Sequence, residues 1–319
     1  MISTRTKRAS FAAVAAAGLI ALAGCSGTSA DETTGGEAGA DWPESLSFAV
    51  IPAESSTTIA QQQGKIIEAL ENELDLEVEI QEATSYAGVI EALRAGQADI
   101  AGLGPFSYAV AVDSGVEVTP LGAVVDDPEM EPGYQSYGVV NPDSGIDSIE
   151  GFADKTVCFV DPTSTSGFLF PSAGLLEAGI DPEEGVEQVM AGSHDASALS
   201  VADGTCDAGF AYDTMVTETL VDSGQMDDGA VEIVWESEVI PGSPYVSNDA
   251  LPQDLQDELL RIFTEELNVP ALIESGICGS AEDCPMPEES EYGFVAVEDS
   301  LYDGIRAVCE TTQSESCVA

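Results

Sequence analysis

Three consecutive hydroxyls, Ser164, Thr165 and Ser166, stand out in the string Val160-Asp161-Pro162-Thr163-Ser164-Thr165-Ser166-Gly167. They fall where an apolar run, TVCFV at 156–160, hands over to a helix-like run at 166–178. The first amides of a helix have no carbonyl of a preceding turn to bond, and together they carry about half a positive charge. Such amides with hydroxyls beside them form a donor cage for a tetrahedral oxyanion, without Lys or Arg. Taken alone, the string reads equally well as an ordinary hydroxyl cap. A second helix opening, AGSHDAS at 191–197, carries His194, the only histidine of the chain. It offers a donor and a pH-tuned contact, while Asp195 and Ser197 also suit simple capping. A third opening, Gly104-Pro105-Phe106-Ser107-Tyr108, offers the Tyr108 phenol, and IPAESS at 51–56 offers Glu54 and Ser55. Tyr212-Asp213 adds an acceptor; a carboxylate beside an anion needs a proton between them, so Asp213 there favours a ligand with P–OH or ammonium. Ser164–Ser166, His194 and Asp213 have the types of a nucleophile, base and orienter. Their spacing matches no nucleophile elbow, so no catalysis is expected.

These loops need a scaffold of strands and helices that ends at one place. Apolar runs at 47–51, 76–80, 98–103 and 118–125 predict strands, separated by helices over 57–73, 85–95 and 106–114. The alternation repeats, with strands at 135–140, 156–160, 187–190, 206–212 and 231–235. Between them lie a helical turn at 148–152 and helices at 166–178, 195–202 and 214–223. Tyr245–Asn248 reads as a second connecting strand. Helices over 255–267 and 301–309 close the chain, and 270–298 reads as irregular. Pro171 is tolerable only near the first turn of its helix. Strands alternating with helices imply parallel sheets with right-handed crossovers. The expected fold class is therefore α/β, with two Rossmann-like domains joined by two crossing strands, and ligands placed beyond the strand ends in the cleft. The expected division is 42–136 with 246–319 as domain I and 137–245 as domain II.

Composition narrows the partners. The chain has 319 residues, 59 acidic and 8 basic, and a formal charge of -51. Nucleic acid is excluded as a partner, because nothing here could neutralise a phosphate backbone. With 44% hydrophobic residues a real core is available. Arg5, Lys7 and Arg8 precede an apolar, Ala-rich run from Phe11 to Leu22, too short to span a bilayer. This is an export-signal pattern. Its end, Leu22-Ala23-Gly24-Cys25, resembles the bacterial lipobox, in which the Cys is acylated and becomes the first mature residue. Residues 1–24 are then a lipoprotein signal peptide, and 25–41, rich in Gly, Ser, Thr and acid, a lipidated flexible tether. The expected location is the extracytoplasmic face of the cell membrane. Six cysteines remain, and six allow 15 connectivities. The favoured pairs are Cys158–Cys206, Cys278–Cys284 and Cys309–Cys317. A metal site is disfavoured, because Cys278-x5-Cys284 lacks the usual zinc spacing; no metal and no other cofactor are expected.

Four segments carry a resemblance. FAVIPAES, YAGVIEALRAGQADIAGLGPFSY, FVDPTSTSGFLFP and AGSHDASALSVADGTCDAGF look like the PhnD-like phosphate, phosphite and phosphonate-binding subunits of ABC importers. The similarity runs from about 46 to about 267, with the segments in the right order. It implies a type II periplasmic-binding-protein architecture closing on its ligand, delivery to a membrane permease, and a monomer. It implies that Ser164, Thr165, Ser166 and His194 hold the phosphorus oxyanion, with Tyr108 from the other domain. Glu54, Asp195, Tyr212 and Asp213 transfer more weakly. A ligand sensor feeding a membrane signalling partner is the alternative, and a Ser/His phosphoester hydrolase a more distant one.

The acidity has a measurable consequence. Some fifty uncompensated carboxylates repel one another, and salt screens that repulsion beyond ~8–10 Å. The melting temperature should rise by roughly 5 °C or more from low to molar salt; a flat or falling thermal-melt curve would refute the repulsive shell.

Overall fold

The computed structural model describes residues 42–51, 53, 56–287 and 290–317. The chain begins with β1 (Ser45–Val50), α1 (Ser56–Leu74), β2 (Glu77–Glu82), α2 (Tyr86–Arg94), β3 (Ile100–Gly102), α3 (Pro105–Asp113) and β4 (Val118–Val125). A short strand β5 (Gly133–Tyr134) leads to β6 (Ser136–Val140), β7 (Thr156–Phe159), α4 (Phe170–Glu177), β8 (Glu187–Met190), α5 (His194–Ala202) and β9 (Ala208–Tyr212). Then come α6 (Leu220–Asp222), β10 (Glu232–Glu236), β11 (Ile240–Pro241), β12 (Pro244–Asn248), α7 (Gln253–Arg261), α8 (Val269–Glu274), β13 (Gly293–Val295) and α9 (Asp303–Thr312).

Two main sheets result. One is six-stranded, in the order β13-β4-β12-β3-β1-β2; the other is five-stranded, β10-β6-β9-β7-β8. Each is covered on both faces. In the first, Ile59, Ile66 and Leu70 of α1 and Leu255 and Leu259 of α7 pack with Leu46 and Phe48. Val89 and Leu93 of α2, Phe106 of α3 and Ile305 of α9 pack with Ala49 and Ala101 on the opposite face. In the second, α5 packs through Ala198 and Val201 on one side, and Leu175 of α4 packs with Phe159 and Phe210 on the other. Near-continuous burial of the inner strands β3, β9 and β12 follows from this layering, while the edge strands β2, β8 and β10 stay largely exposed. The α/β expectation with two Rossmann-like halves holds.

Three details differ from the sequence reading. The sheets are mixed: β1 pairs in parallel with β2 and β3, but β12 is antiparallel to both of its neighbours, and so are β6 to β9 and β10 to β6. Tyr245–Asn248 is not a connector but an inner strand, β12, between β3 and β4. The passage between the sheets is instead made by β5 and β11, a two-stranded antiparallel pair. Finally, 270–298 contains ordered elements: the end of α8, and β13, which pairs with β4 at the sheet edge. Its three-residue strand and sparse aliphatics gave no periodicity to read.

All three favoured disulfides are present, Cys158–Cys206, Cys278–Cys284 and Cys309–Cys317. Cys158 lies on β7 and Cys206 just before β9, its parallel neighbour. Opening that bond frees a loop of 48 residues, for which loop-closure entropy gives about 4 kcal/mol. Replacing both cysteines by Ala should therefore lower the urea midpoint while leaving the native circular dichroism intact; an unchanged midpoint would show that the bond contributes nothing to the fold's stability.

Candidate functional site

The strand ends of both sheets point to one small cavity. It is lined by Ile51, Ala53, Tyr86, Gly104, Tyr134, Ser164, Thr165, Ser166, His194, Tyr212 and Ser243. Its volume open to water centres is about 40 Å³, room for roughly three waters at about 10–15 Å³ each. That is the scale of one small oxyanion.

The hydroxyl run sits on a π-helical turn, Thr165–Leu169, which continues into α4. Ser164 caps it, its Oγ accepting from Gly167 N–H at 3.1 Å. The wide turn lets Pro171 fall in the first turn of α4, where its missing N–H costs nothing. Gly167 is required by close packing: a Cβ there would lie 2.3 Å from the Val160 side chain. The amides of Thr165 and Ser166 thus open a helix toward the cavity. Ser166 is anchored by its carbonyl, which accepts from Ser136 Oγ at 2.6 Å.

His194 opens α5 and is buried. Its Nδ1 accepts from Tyr212 N–H at 3.2 Å, so the ring proton lies on Nε2. Nε2 approaches Ser164 Oγ at 3.4 Å. Burial lowers the His194 pKa from 6.5 to about 3, so the imidazole is a neutral donor at physiological pH. The Tyr212 ring packs edge-on against it, with centroids 4.8 Å apart. This arrangement does not suit a hydrolase: Nε2 holds a proton rather than a lone pair, and Nδ1 accepts from the Tyr212 amide rather than donating to a carboxylate.

Two bonds cross between the halves at this point. Thr165 Oγ1 accepts from Phe106 N–H, at the opening of α3, at 2.8 Å. His194 N–H, at the opening of α5, donates to the Ala53 carbonyl at 2.9 Å. Gly104 permits the first approach, since a Cβ there would come within 3.2 Å of Thr165 Oγ1. With its lone pair engaged by Phe106, the Thr165 hydroxyl keeps its proton for an acceptor. The chain is therefore in a closed form, its halves joined by the same residues that line the cavity. Among the described residues no Lys or Arg lines it; Lys65, Arg94, Arg261 and Arg306 are engaged by carboxylates elsewhere.

The sequence-read residues divide accordingly. Ser164, Thr165, Ser166, His194 and Tyr212 are brought together. Tyr108 is not: its hydroxyl donates to Asp299 Oδ1 at 3.0 Å, and its ring packs on Tyr302. Burial and Asp299 push the phenol's pKa up. Asp195 is a cap, bonded to Ser193 Oγ and to the Ala196 amide. Asp213 lines an adjoining pocket, where its oxygens accept from the Gln135 and Thr214 amides. Burial raises its pKa while those amides oppose the shift. Glu54, Ser55 and Cys25 lie outside the described residues. Tyr86, Tyr134 and Ser243 were missed. Tyr86 follows the helix cap Ser85, a signal of the same kind as the others, whereas Tyr134 and Ser243 lie beside β5 and β11, elements too short to read.

Comparison with known proteins now fits this geometry. The family described as "ABC transporter, phosphonate, periplasmic substrate-binding protein" matches residues 48–269. The chain belongs to that family: it is an extracytoplasmic substrate-binding protein of the ABC-importer type, not an enzyme. It is 43% identical, over 96% of both chains, to the phosphate-import protein PhnD of Mycolicibacterium smegmatis. Among solved structures it is similar to the binding component of an ABC phosphonate transporter from Pseudomonas aeruginosa, with TM-score 0.73 and 24% identity, over 86% of this chain and 87% of that one. It is also similar to PhnD1 of Prochlorococcus marinus in complex with methylphosphonate, with TM-score 0.70 and 21% identity, over 85% and 99%. These neighbours are type II periplasmic binding proteins in fold.

Two outcomes follow. Tyr108→Phe should lower the melting temperature through the lost Asp299 bond but leave anion affinity unchanged, as titration calorimetry would show. Neutral burial of His194 also links stability to pH. Its folded pKa, about 3, lies below the ordinary 6.5, so the unfolded chain binds the extra proton between those values. The contribution is complete above pH 6.5 and is lost as pH falls toward 3, by at most about 1.4 kcal/mol per pH unit. His194→Gln should flatten the acid limb of the stability curve in denaturant melts; an identical limb would contradict the neutral assignment.

Proposed function

We propose that this chain captures a small phosphorus oxyanion, phosphate or a short phosphonate, in the closed cavity and delivers it to a permease of an ABC importer. The observation that carries the reading is the Ser164–Ser166 turn meeting a neutral His194 donor across a cavity of oxyanion size. Helix-opening amides and hydroxyls supply the positive potential that absent cations do not. The PhnD proteins to which the chain is similar support phosphorus as the central atom.

Closure would be the signal the permease reads. The two sheets support a division close to 42–136 with 246–319 and 137–245, moved by one or two residues because Ser136 belongs to β6 and Pro244 and Tyr245 to β12, with the hinge at the β5–β11 pair. Each half contributes to the cross-bonds of Thr165 and His194, so ligand held by those residues favours the closed form. We place the protein on the outer face of the membrane, tethered by lipid on Cys25 and acting as a monomer.

Titration calorimetry on protein stripped of bound anion tests the function. Phosphate, phosphite and methylphosphonate should include at least one micromolar or tighter ligand. A hydrogen bond to a charged group contributes about 1.5–3 kcal/mol, so Thr165→Val should weaken that ligand about 10–150-fold, while Thr165→Ser should nearly preserve it. Failure of all three anions to bind the stripped wild-type protein would end the reading. For the anchor, Cys25→Ser should move the protein from the detergent to the aqueous phase on amphiphile partitioning.

A further inference from the structure

A second cavity adjoins the oxyanion cage and shares Ile51, Ala53 and Ser243 with it. It lies between α1 and the carboxyl ends of β1 and β3. Its volume open to water centres is about 60 Å³, room for roughly four or five waters. Val50, Ile59, Leu103 and Tyr245 wall it, all of them buried. Among the described residues its lining has no charged side chain.

One polar group there is unexplained by the fold. Gln63 lines the cavity and is 5% exposed. Its Nε2 donates to the Tyr245 hydroxyl at 2.8 Å, which fixes the plane of the amide. Its Oε1 is buried and has no hydrogen-bond partner among the described residues. Buried side-chain acceptors are rarely left unmet, and removing a partner from one costs its full desolvation. An acceptor held rigid beside a ligand cage invites a donor from the ligand.

We infer that this second cavity is a subsite for the organic substituent of a short, uncharged-tail phosphonate, with Gln63 Oε1 accepting a hydrogen bond from a hydroxyl at the tail's far end. The inference rests on the oxyanion reading above, because the PO₃ group in the cage brings the tail to the shared wall at Ile51, Ala53 and Ser243. The volume admits about two to four heavy atoms. The apolar walls suit a methylene chain, and the described lining offers no carboxylate to an ammonium tail. Phosphate and methylphosphonate fill the cage and leave the subsite to water.

Calorimetry with methylphosphonate, ethylphosphonate and 2-hydroxyethylphosphonate on the stripped mature chain tests this. In the wild type, 2-hydroxyethylphosphonate should bind about 3–10-fold tighter than ethylphosphonate, the scale of one neutral hydrogen bond. Gln63→Leu, close to Gln in size, should erase that ratio and leave methylphosphonate within about twofold, since a methyl does not reach Gln63. Equal affinities of the two longer ligands in the wild type would overturn the subsite, as would their joint exclusion. A parallel loss for all three ligands in Gln63→Leu would do the same, showing that Gln63 supports the fold alone. In each case methylphosphonate binding to the wild type keeps the cage reading intact. If methylphosphonate, phosphate and phosphite all fail to bind the wild type, the oxyanion reading falls and the subsite with it. Should Gln63→Leu not fold, the wild-type ratio alone decides.

Discussion

The bond from the Phe106 amide to the Thr165 hydroxyl is the constraint around which the site is organised. It joins the opening of α3 in one half to the hydroxyl run of the other. A hydroxyl that accepts from one side keeps its proton for the other, so a single residue both latches the halves and faces the cavity. The approach is close enough that a Cβ at 104 would press on the Thr165 hydroxyl, and a Cβ at 167 would run into the Val160 side chain, so the π-helical turn that carries the latch needs glycine there. The His194 amide and the Ala53 carbonyl repeat the arrangement a short distance away. The halves are thus held at the very point where a ligand would sit, which ties occupancy of the cavity to closure.

Electrostatics at the site run against the rest of the molecule. The chain carries a formal charge of -51, yet the ligand we propose for the cavity is an anion. Among the described residues no cation lines the cavity, and Arg261 and Arg306 are each surrounded by three carboxylates. Backbone dipoles reconcile the two, since they act over a few ångströms and are strongest away from water. The neutral state of His194 belongs to the same logic. A charged imidazolium buried with no carboxylate beside it would be costly, and the Tyr212 amide bonded to Nδ1 fixes the uncharged donor instead.

Much of this was legible in the residues. Strand-to-helix handovers are marked by apolar runs ending in Ser, Thr, Gly and Pro, and such runs located Ser164–Ser166 and His194 before any geometry was known. The favoured cysteine pairs are also those the structure contains, two of them because a short loop leaves little choice. What escaped has physical reasons. Tyr108 follows a helix opening as a ligand residue would, but the end of the first turn of α3 points its ring away from the cavity and onto Tyr302. Which face a side chain takes depends on how the helix is rotated against its sheet, and α3 is apolar nearly all round. Tyr134 and Ser243 escaped because two-residue strands carry no period. The inner position of β12 escaped because strand order is set by long-range pairing.

That inner position bears on how the molecule is made. β12, from residues 244–248, is inserted between β3 and β4, and β13 covers the outer edge of β4. The six-stranded sheet therefore has a gap at its middle until about three quarters of the polypeptide has emerged. The five-stranded sheet draws on one continuous stretch, 136–236, including both partners of Cys158–Cys206. A chain secreted amino end first can complete and oxidise this internal half while its opening strands still wait for their missing neighbour. The amino-terminal strands of such a chain would be first across the membrane and among the last to find a finished sheet, and for that interval their unpaired edges are what an extracytoplasmic chaperone would meet.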